Sequence, residues 1–486
     1  MLEILVNNPL TRNFFGCNRS IGIVGMGMAG KTVFLTSLLD HLRNHHPQRY
    51  PHRFDLGEKR ISEWEILPFS VSGIWKPFPF EEFRARMANQ HLWPQRTTDC
   101  SRIDLKFKFT PLSQRWFSAE GERSWNDYYL TLYDIPGERT PDVVLYENDY
   151  ASWSRQTLLS MRRYYHQYQE NPNSLAEVRS FLNRMENPQA DLSGEAIVRF
   201  YKRALIEMLE NGCSNVTPSI FMVDDTGKRF REKAIHGCGD ENERENLVEN
   251  CLCGVRGAEF APLGENWRSH PVFATFQRAC QQYRKQYVYP LFGTLISCDA
   301  LAFLVDIPTI LKNGSRDLNM YREILGHLLR GLHPGDTTLS LLLTLGFQHR
   351  IGRIAFAATQ CDRFHPDDRP VLQSMVQHLA DPVCNQISQH YQYDFSTIAA
   401  VESARLIDGK MHCDTAQGEA ALDYWRIPKE WKGDFPNDAQ SEAFISSCQS
   451  LGQIVPPRVR PRFSQNEATP PHQIRLDRLF RFLTRW

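Results

Sequence analysis

The octapeptide Gly25–Thr32 constrains the fold more than any other part of the sequence. It reads GMGMAGKT and fits the pattern G-x-x-x-x-G-K-T. A short apolar run, RSIGIVG at residues 19–25, precedes it, and the leucines of residues 31–43 follow it at helical spacing. The sequence therefore predicts a strand, a glycine-rich loop and a helix in succession, which is the context in which this pattern binds phosphate.

The residue types of this loop suit a phosphate chain. Glycines let backbone N–H groups turn inward around phosphate oxygens, and the helix N-terminus adds a partial positive charge. We expect the Lys31 ammonium to reach the β- and γ-phosphates and the Thr32 hydroxyl to bind Mg²⁺. The residues expected to contact the nucleotide here are Gly25, Met28, Ala29, Gly30, Lys31, Thr32 and Val33.

A second motif closes a pair of strands. The alternating run DLKFKF at residues 104–109 and the run YYLTLY at residues 128–133 predict an antiparallel pair, and DIPGE follows the second run. The Asp134 carboxylate is placed to hold Mg²⁺ through a water molecule. The Gly137 N–H is placed to meet a γ-phosphate, so this loop can sense whether that phosphate is present.

A threonine ahead of the antiparallel pair would complete the Mg²⁺ site. The segment WPQRTTDCS places Thr97 and Thr98 just before DLKFKF. Such a threonine binds Mg²⁺ through its hydroxyl and the γ-phosphate through its N–H. We prefer Thr98 for this role, and Thr97 stays open.

The downstream half of the chain carries candidates for base recognition. The tetrapeptide TQCD, from Thr359 to Asp362, follows the apolar run RIAFAA and stands where GTP-binding proteins carry N/T-K-x-D. There the aspartate accepts hydrogen bonds from guanine N1 and the exocyclic amino group, a donor pair that adenine lacks. Gln360 replaces the usual lysine, whose stem packs on the base, and should pack more weakly. The run STIAAV ends in Ala400 and Val401, whose N–H groups can face the guanine oxygen.

Alternating strands and helices predict an α/β fold with a doubly wound, mostly parallel sheet, one antiparallel strand and helices on both faces. Ligands of such sheets bind beyond the carboxyl ends of the strands. We expect further strands at residues 300–305, 353–358 and 396–401, and helices at residues 318–332, 337–347, 371–380 and 477–486. We expect the chain to divide into four parts. The nucleotide-binding core has a first part at 19–140, which includes an irregular, partly helical excursion at 45–96, and a base-recognition half at 291–406. A mainly helical insertion at 141–290 separates the two parts of the core, and an irregular and helical extension follows at 407–486.

Composition excludes several classes of partner. The chain has 486 residues and a net charge of zero, with 56 basic and 56 acidic side chains, so no nucleic-acid partner is expected. The longest apolar run, Leu295–Leu311, is interrupted by Asp299 and Asp306 and does not predict a membrane span. Twelve cysteines without a secretory signal are typical of reduced thiols, so we expect a cytoplasmic protein.

With these motifs in order, the chain resembles the Ras-like P-loop GTPases and, more closely, the YcjX family of stress-associated bacterial proteins. The stretches that carry the resemblance are GMGMAGKT, WPQRTTD, DIPGE, FAPL, CDALAFLVD, TQCD, AAV and IRLDRLF. It implies a Ras-like core with a helical insertion, binding of GTP or GDP with Mg²⁺, and induction under heat or envelope stress. It also implies a membrane-protein partner or effector, reached through the insertion, that could recruit the protein to the inner membrane.

One departure from the Ras-like pattern bears on hydrolysis. The residue after D-x-x-G is usually a glutamine that orients the attacking water, and here it is Glu138. A carboxylate accepts a hydrogen bond from water but lies near phosphate charge, so slow hydrolysis is expected. Three functions stay open: a GTPase switch with Lys31, Thr98, Gly137 and Glu138 as catalytic residues; an ATPase, encouraged by Gln360; and a nucleotide-stabilised scaffold without significant turnover.

Overall fold

A computed structural model of the chain describes most of its length. The residues described are 17–44, 61–95, 99–109, 127–167, 175–189, 191–211, 213, 217–219, 221, 237, 240–250, 259–313, 315–331, 351–387, 391–415, 417–423, 427, 459–466 and 468–485. They fall into two compact units. The first lies within Met1–Gly137, Leu295–Leu329 and His333–Trp486, and the second within Glu138–Thr294 and Arg330–Leu332.

The first unit is built on a mixed sheet. The strands described are β1 Cys17–Gly25, β2 Ile61–Leu67, β3 Trp75–Pro77, β4 Cys100–Phe109, β5 Asp127–Asp134, β6 Ala300–Val305, β7 Arg353–Ala358, β8 Gln392–Thr397, β9 Ala404–Ile407, β10 Lys410–Thr415 and β11 Gly418–Leu422. Within this part of the chain, eight of them form one sheet in the order β2-β4-β5-β1-β6-β7-β8, with β3 beside β4. The last three form a separate antiparallel sheet.

The large sheet is mostly parallel, as the sequence predicts. Strand β1 lies between β5 and β6 and is parallel to both, and β7 and β8 continue the parallel side. Strand β4 runs antiparallel to β5, which confirms the predicted pair, and β2 adds a further antiparallel edge strand. The carboxyl ends of β1, β5, β6, β7 and β8 therefore meet at one edge of the sheet.

Burial on both faces explains why the central strands are continuous apolar runs. All six residues of β6 are buried, and five of the six residues of β7 are buried. Parallel strands with both faces covered have this composition. The end of β1 needs a glycine because a Cβ at Gly25 would lie 2.5 Å from the carbonyl oxygen of Leu304 in β6.

Thirteen α-helices are assigned within the described ranges. They are α1 Lys31–Arg43, α2 Phe80–Asn89, α3 Val143–Glu147, α4 Tyr150–Gln167, α5 Ala176–Glu186, α6 Gly194–Glu210, α7 Glu241–Asn250, α8 Pro271–Tyr283, α9 Tyr289–Ile296, α10 Ile307–Asn313, α11 Ser315–Gly331, α12 Arg369–Ile387 and α13 Leu476–Leu483. Helices α11, α12 and α13 confirm three of the helices expected in the downstream half. The helix expected at residues 337–347 lies outside the described residues. None of the described helices is both long enough and apolar enough to cross a membrane.

Three sequence predictions about secondary structure are wrong. The stretch 45–96, expected to be irregular and partly helical, does contain helix α2, but it also contains strand β2, most of whose side chains are exposed, so its apolar alternation is weak. The stretch 407–470, within the extension expected to be irregular, contains the hairpin of β9 and β10. Asp408 and Gly409 form its two-residue turn and both have positive φ, as is usual in tight hairpin turns. The strand expected at 396–401 lies instead at Gln392–Thr397; beyond it, the Ile398 carbonyl accepts from the Cys361 N–H, and the Ala399 N–H donates to the Ile474 carbonyl.

The second unit, in its described part, is helical and packs around aromatic side chains. The rings of Tyr150, Trp153 and Phe260 lie within 6.4 Å of one another, centroid to centroid. The carboxylate of Asp142 is buried in the same unit. It accepts hydrogen bonds from the N–H of Ser219 at 2.8 Å and from the hydroxyls of Ser219 and Tyr283, each at 2.5 Å. These bonds anchor the segment that follows the DIPGE motif.

Candidate functional site

The loop between β1 and α1 has a backbone suited to an anion. Met28 has φ 70° and Gly30 has φ 82°, both in the left-handed region. Two left-handed residues so close together produce the concave run of N–H groups that binds anions in phosphate loops. The Met28 side chain is 59% exposed, so this residue offers its backbone rather than its side chain to the loop. The Ala29 N–H donates to the Met26 carbonyl at 3.2 Å and closes the turn.

Lys31 lies across this loop. Its ammonium donates to the carbonyl oxygens of Gly25 at 2.8 Å and Met26 at 3.1 Å, and the residue is buried. Both acceptors belong to the loop itself. The ammonium is therefore held over the loop, within reach of an anion bound there.

The start of α1 offers backbone donors to the same place. Gly30 precedes the helix and has no side chain to cap it, and the first turn contains no acidic residue. The first N–H groups of a helix attract anions. Thr32 is buried in this turn. Val33 packs against a buried cluster of Met87, Ala88, Val401 and Phe463, which therefore helps to fix the start of the helix.

Asp134 and Gly137 lie beside the loop between β1 and α1. Asp134 is the last residue of β5, is paired in register with Ile23 of β1, and is buried. A Cβ on Gly137 would lie 2.3 Å from the N atom of Gly27 and 2.3 Å from the carbonyl carbon of Met26. The backbone of the DIPGE loop therefore rests directly on the backbone of the phosphate-binding loop, a packing that only glycine permits.

The donors present fit Mg²⁺. This ion prefers oxygen ligands, keeps several waters, and binds through few protein groups together with substrate phosphates. Thr32 offers a hydroxyl at the start of α1, and Asp134 offers a carboxylate at the end of the neighbouring strand. The remaining predicted ligand, Thr98, and its alternative Thr97 lie outside the described residues.

Glu138 and Arg139 belong to the second unit. Glu138 is half-buried in the short 3₁₀ helix Gly137–Asp142. The Arg139 guanidinium lies 5.3 Å from the centroid of the Tyr287 ring in the same unit, a cation–π contact. The structure therefore gives Arg139 a packing role within the helical unit.

Asp362 lies at the same sheet edge, after β7. Its Oδ2 accepts hydrogen bonds from the N–H groups of Ser403 at 2.9 Å and Ala404 at 3.2 Å, and the residue is 4% exposed. Burial raises the pKa of the Asp362 carboxyl to about 6, and these hydrogen bonds and the Arg363 charge oppose the rise. A carboxylate so placed can accept two parallel N–H donors only while it is ionised.

Gln360 is held by an arginine that sequence reasoning missed. Gln360 adopts a left-handed backbone conformation, with φ 57°. Its side-chain Oε1 accepts a hydrogen bond of 2.6 Å from Nη1 of Arg363. Burial lowers the pKa of Arg363, and the charges of Asp306 and Asp362 oppose that change. Arg363 directly follows the TQCD motif, but sequence adjacency does not reveal where its side chain points.

The other residues assigned to base recognition are placed by backbone contacts. The Thr359 hydroxyl donates to the carbonyl of Val305, and its N–H donates to the same oxygen. The Ala400 carbonyl accepts a hydrogen bond of 2.5 Å from the Ser37 hydroxyl on α1. Val401 is buried. The Ser37 bond, also missed from sequence, ties the helix of the phosphate-binding loop to the loop after β8, while contact of Thr359, Ala400 and Val401 with a base stays a prediction.

Comparison with known proteins supports one family. The model of the YcjX-like family, DUF463, matches residues 20–230 and 252–485. A protein of Escherichia coli strain K12 named Ras-like GTPase YcjX is 24% identical over 389 residues, covering 78% of this chain and 75% of its own length. A protein of the same name from Shewanella oneidensis is 21% identical over 419 residues, covering 79% of this chain and 77% of its own.

The packing of Gly137 predicts the effect of one methyl group. In Gly137→Ala, the new Cβ must displace the backbone of Met26 and Gly27, because both lie 2.3 Å from it. We expect the affinity for a magnesium–nucleoside triphosphate complex, measured by calorimetry, to fall about tenfold or more, a change of roughly 1.4 kcal/mol.

Gly293→Ala is the matched control for this substitution. Its Cβ would meet nothing within 4 Å among the described residues, and Gly293 lies inside helix α9. The control should bind as the unmodified protein does. An unchanged affinity in Gly137→Ala would contradict the packing of the two loops.

Proposed function

This chain belongs to the YcjX-like family, and from that premise we propose that it is a guanine-nucleotide-binding P-loop protein that hydrolyses GTP slowly and works as a switch. One observation carries the proposal. The phosphate-binding loop, Gly137 and Asp362 occupy one sheet edge of one compact unit. The order β4-β5-β1-β6-β7-β8, with β4 antiparallel, supports a Ras-like core. The names of the two relatives support GTP as the substrate.

In this proposal, the residues around the phosphate-binding loop hold the diphosphate and the metal. Lys31 exchanges its bonds to loop carbonyls for bonds to the β- and γ-phosphates. Thr32, Thr98 and Asp134 would hold Mg²⁺, directly or through water. When bound, Mg²⁺ would offset the negative charge that develops on the phosphate oxygens.

The base is selected by charge and geometry in the loop after β7. Ionised Asp362 accepts from the two donors of the guanine edge, while its bonds to the Ser403 and Ala404 N–H groups keep it oriented. Gln360 packs its stem on the base, and the N–H groups of Ala400 and Val401 face the guanine oxygen. Adenine lacks both of these donors: its ring N1 presents a lone pair to the carboxylate, and its C2 carries only a hydrogen.

The switch begins where the two units join covalently. Gly137 ends the first unit and Glu138 begins the second. When Gly137 moves toward a γ-phosphate, the short segment up to Asp142 moves with it, and buried hydrogen bonds anchor Asp142 in the helical unit. The nucleotide state is thereby passed to the helices, which present it to a partner in the bacterial stress response.

An ATPase of the same fold is the second candidate. Gln360 favours it, because the usual lysine of the guanine motif is missing. It differs from the main proposal in one measurable respect, the ratio of the affinities for GDP and ADP. Equal or tighter binding of ADP would exclude the guanine proposal and favour the adenine-nucleotide candidate.

Replacing the carboxylate of Asp362 should change the preference for the base. In Asp362→Asn, the guanine N1–H and amino donors face one acceptor and one donor instead of two acceptors. Losing a charge-assisted hydrogen bond of this kind costs about 1.5–3 kcal/mol. We expect the GDP affinity to fall about 10–100-fold and the affinity for xanthosine diphosphate, whose C2 oxygen accepts from the new amide, to rise.

The control for Asp362→Asn is Asp367→Asn, an exposed aspartate in the next turn whose carboxylate lies 3.4 Å from Nδ1 of His365. Affinities for GDP, ADP and xanthosine diphosphate are measured on both variants. If Asp362→Asn binds GDP as tightly as the control, Asp362 does not read the base.

Protonation of Asp362 predicts a pH dependence. The carboxyl has a pKa of about 6 in the protein without nucleotide. Because guanine requires the ionised form, affinity is constant above this pH and falls up to about tenfold per pH unit below it. The ratio of GDP affinities, unmodified protein over Asp362→Asn, isolates this effect, since protonation of the phosphates affects both proteins alike. A ratio that stays constant from pH 8 to about 5 would contradict the assignment.

The side chain at position 138 should set the rate of GTP hydrolysis. A neutral amide can orient the attacking water without repelling phosphate oxygens, so Glu138→Gln should raise the single-turnover rate with GTP. Glu138→Ala removes the acceptor and should lower the rate about 10-fold or more. Glu65→Gln, an exposed carboxylate on strand β2, is the control. If both Glu138 variants hydrolyse GTP as the control does, Glu138 plays no part in orienting the water.

A further inference from the structure

The TQCD loop departs from the guanine-binding motif at a single position, and the structure shows a second residue beside that departure. Gln360 stands where the motif has a lysine. Its amide oxygen is the acceptor for Nη1 of Arg363, at 2.6 Å. The two residues belong to one tight turn, since the N–H of Arg363 also donates to the carbonyl of Gln360 at 3.2 Å.

The charge that a lysine would bring is supplied by Arg363. Its guanidinium interacts with the carboxylates of Asp306 and Asp362 as well as with the Gln360 amide. Asp306 is itself fixed, because it caps helix α10 through the N–H and the hydroxyl of Thr309 at 3.1 and 2.7 Å. The Arg363 cation is thus attracted by two buried carboxylates, one after β6 and one in its own loop.

We propose that Gln360 and Arg363 act as a pair that replaces the lysine of the guanine motif, with Arg363 as the positioning residue that holds the Gln360 stem against the base. The inference rests on the proposed guanine function. Arg363 acts through Gln360 and Asp362 and does not touch the nucleotide. Its planar group can bond an amide and face two carboxylates at once, which a lysine at position 363 cannot do with the same geometry.

The proposed pair and the motif predict opposite effects of Gln360→Lys on GDP binding. A motif comparison alone predicts that Gln360→Lys repairs the sequence and tightens GDP binding. A lysine at position 360 would place an ammonium against the Arg363 guanidinium and remove the acceptor that Gln360 provides. Like charges in contact are destabilising, and Arg363 would leave its position.

The test is a double-mutant cycle on the full chain. The proteins are the unmodified chain, Gln360→Lys, Arg363→Met and the double variant, and each is titrated with GDP and with ADP in the presence of Mg²⁺. The number of cations in the pair is one in the unmodified chain and in the double variant, two in Gln360→Lys, and zero in Arg363→Met. We expect both single variants to bind GDP about tenfold more weakly, a loss of roughly 1.4 kcal/mol, and the double variant to recover most of that loss.

ADP separates base recognition from folding. Its phosphates use the same loop, so ADP affinity should change less than about twofold, roughly 0.4 kcal/mol, in every variant. Where Arg363→Met does not fold, Arg363→Lys replaces it, because it keeps the charge and loses the planar geometry; it should bind GDP more weakly than the unmodified chain while ADP affinity is kept.

Each outcome decides a different claim. If the unmodified chain does not prefer GDP over ADP, the proposed guanine function is wrong. If the unmodified chain prefers GDP and Gln360→Lys binds GDP equally well or more tightly, the proposed role of the Gln360–Arg363 pair is wrong, while the proposed guanine function is retained. The pair is also overturned if Gln360→Lys loses GDP affinity and the double variant does not recover it, since each residue would then act separately.

Discussion

Close approach of backbones at the carboxyl edge of the sheet is the constraint on which the site depends. A Cβ at Gly25 would lie 2.5 Å from the Leu304 carbonyl oxygen, and a Cβ at Gly137 would lie 2.3 Å from the backbone of the phosphate-binding loop. Two glycines thus let three strands and two loops converge without intervening side chains. The N–H groups of the loop are exposed to a ligand because the backbone itself forms the surface of the site.

The same edge couples the two halves of the chain that the sequence separates by more than three hundred residues. Ser37, on the helix that begins at the phosphate-binding loop, donates to the carbonyl of Ala400. Asp362 holds the next residues of that loop through the N–H groups of Ser403 and Ala404. The Ser37 bond links the two halves, and the Asp362 bonds link the same loop to the TQCD turn, so the position proposed for the base is fixed relative to that proposed for the phosphates.

Sequence reasoning succeeded where one physical signal dominated. Strands β6 and β7 were predicted to the residue because both are continuous apolar runs, and the loop at Gly25–Thr32 was located because its spacing is rarely met by chance. It failed where burial was slight, as in strand β2. It overlooked the Asp408-Gly409 turn, a hairpin signal that was present in the sequence. Arg363 and Ser37 could not be assigned, because a side chain's direction depends on tertiary packing that neither spacing nor composition encodes.

The central claim is that one sheet edge holds guanine on Asp362 and phosphates on Lys31. A crystal structure of the chain with GDP and Mg²⁺ tests it most directly. We predict that guanine N1 and the exocyclic amino group each lie within about 3.2 Å of an Asp362 carboxylate oxygen, either on separate oxygens or both on the same one. Lys31 Nζ should then contact a β-phosphate oxygen. A purine bound elsewhere, with Asp362 still contacting only the N–H groups of Ser403 and Ala404, would contradict it.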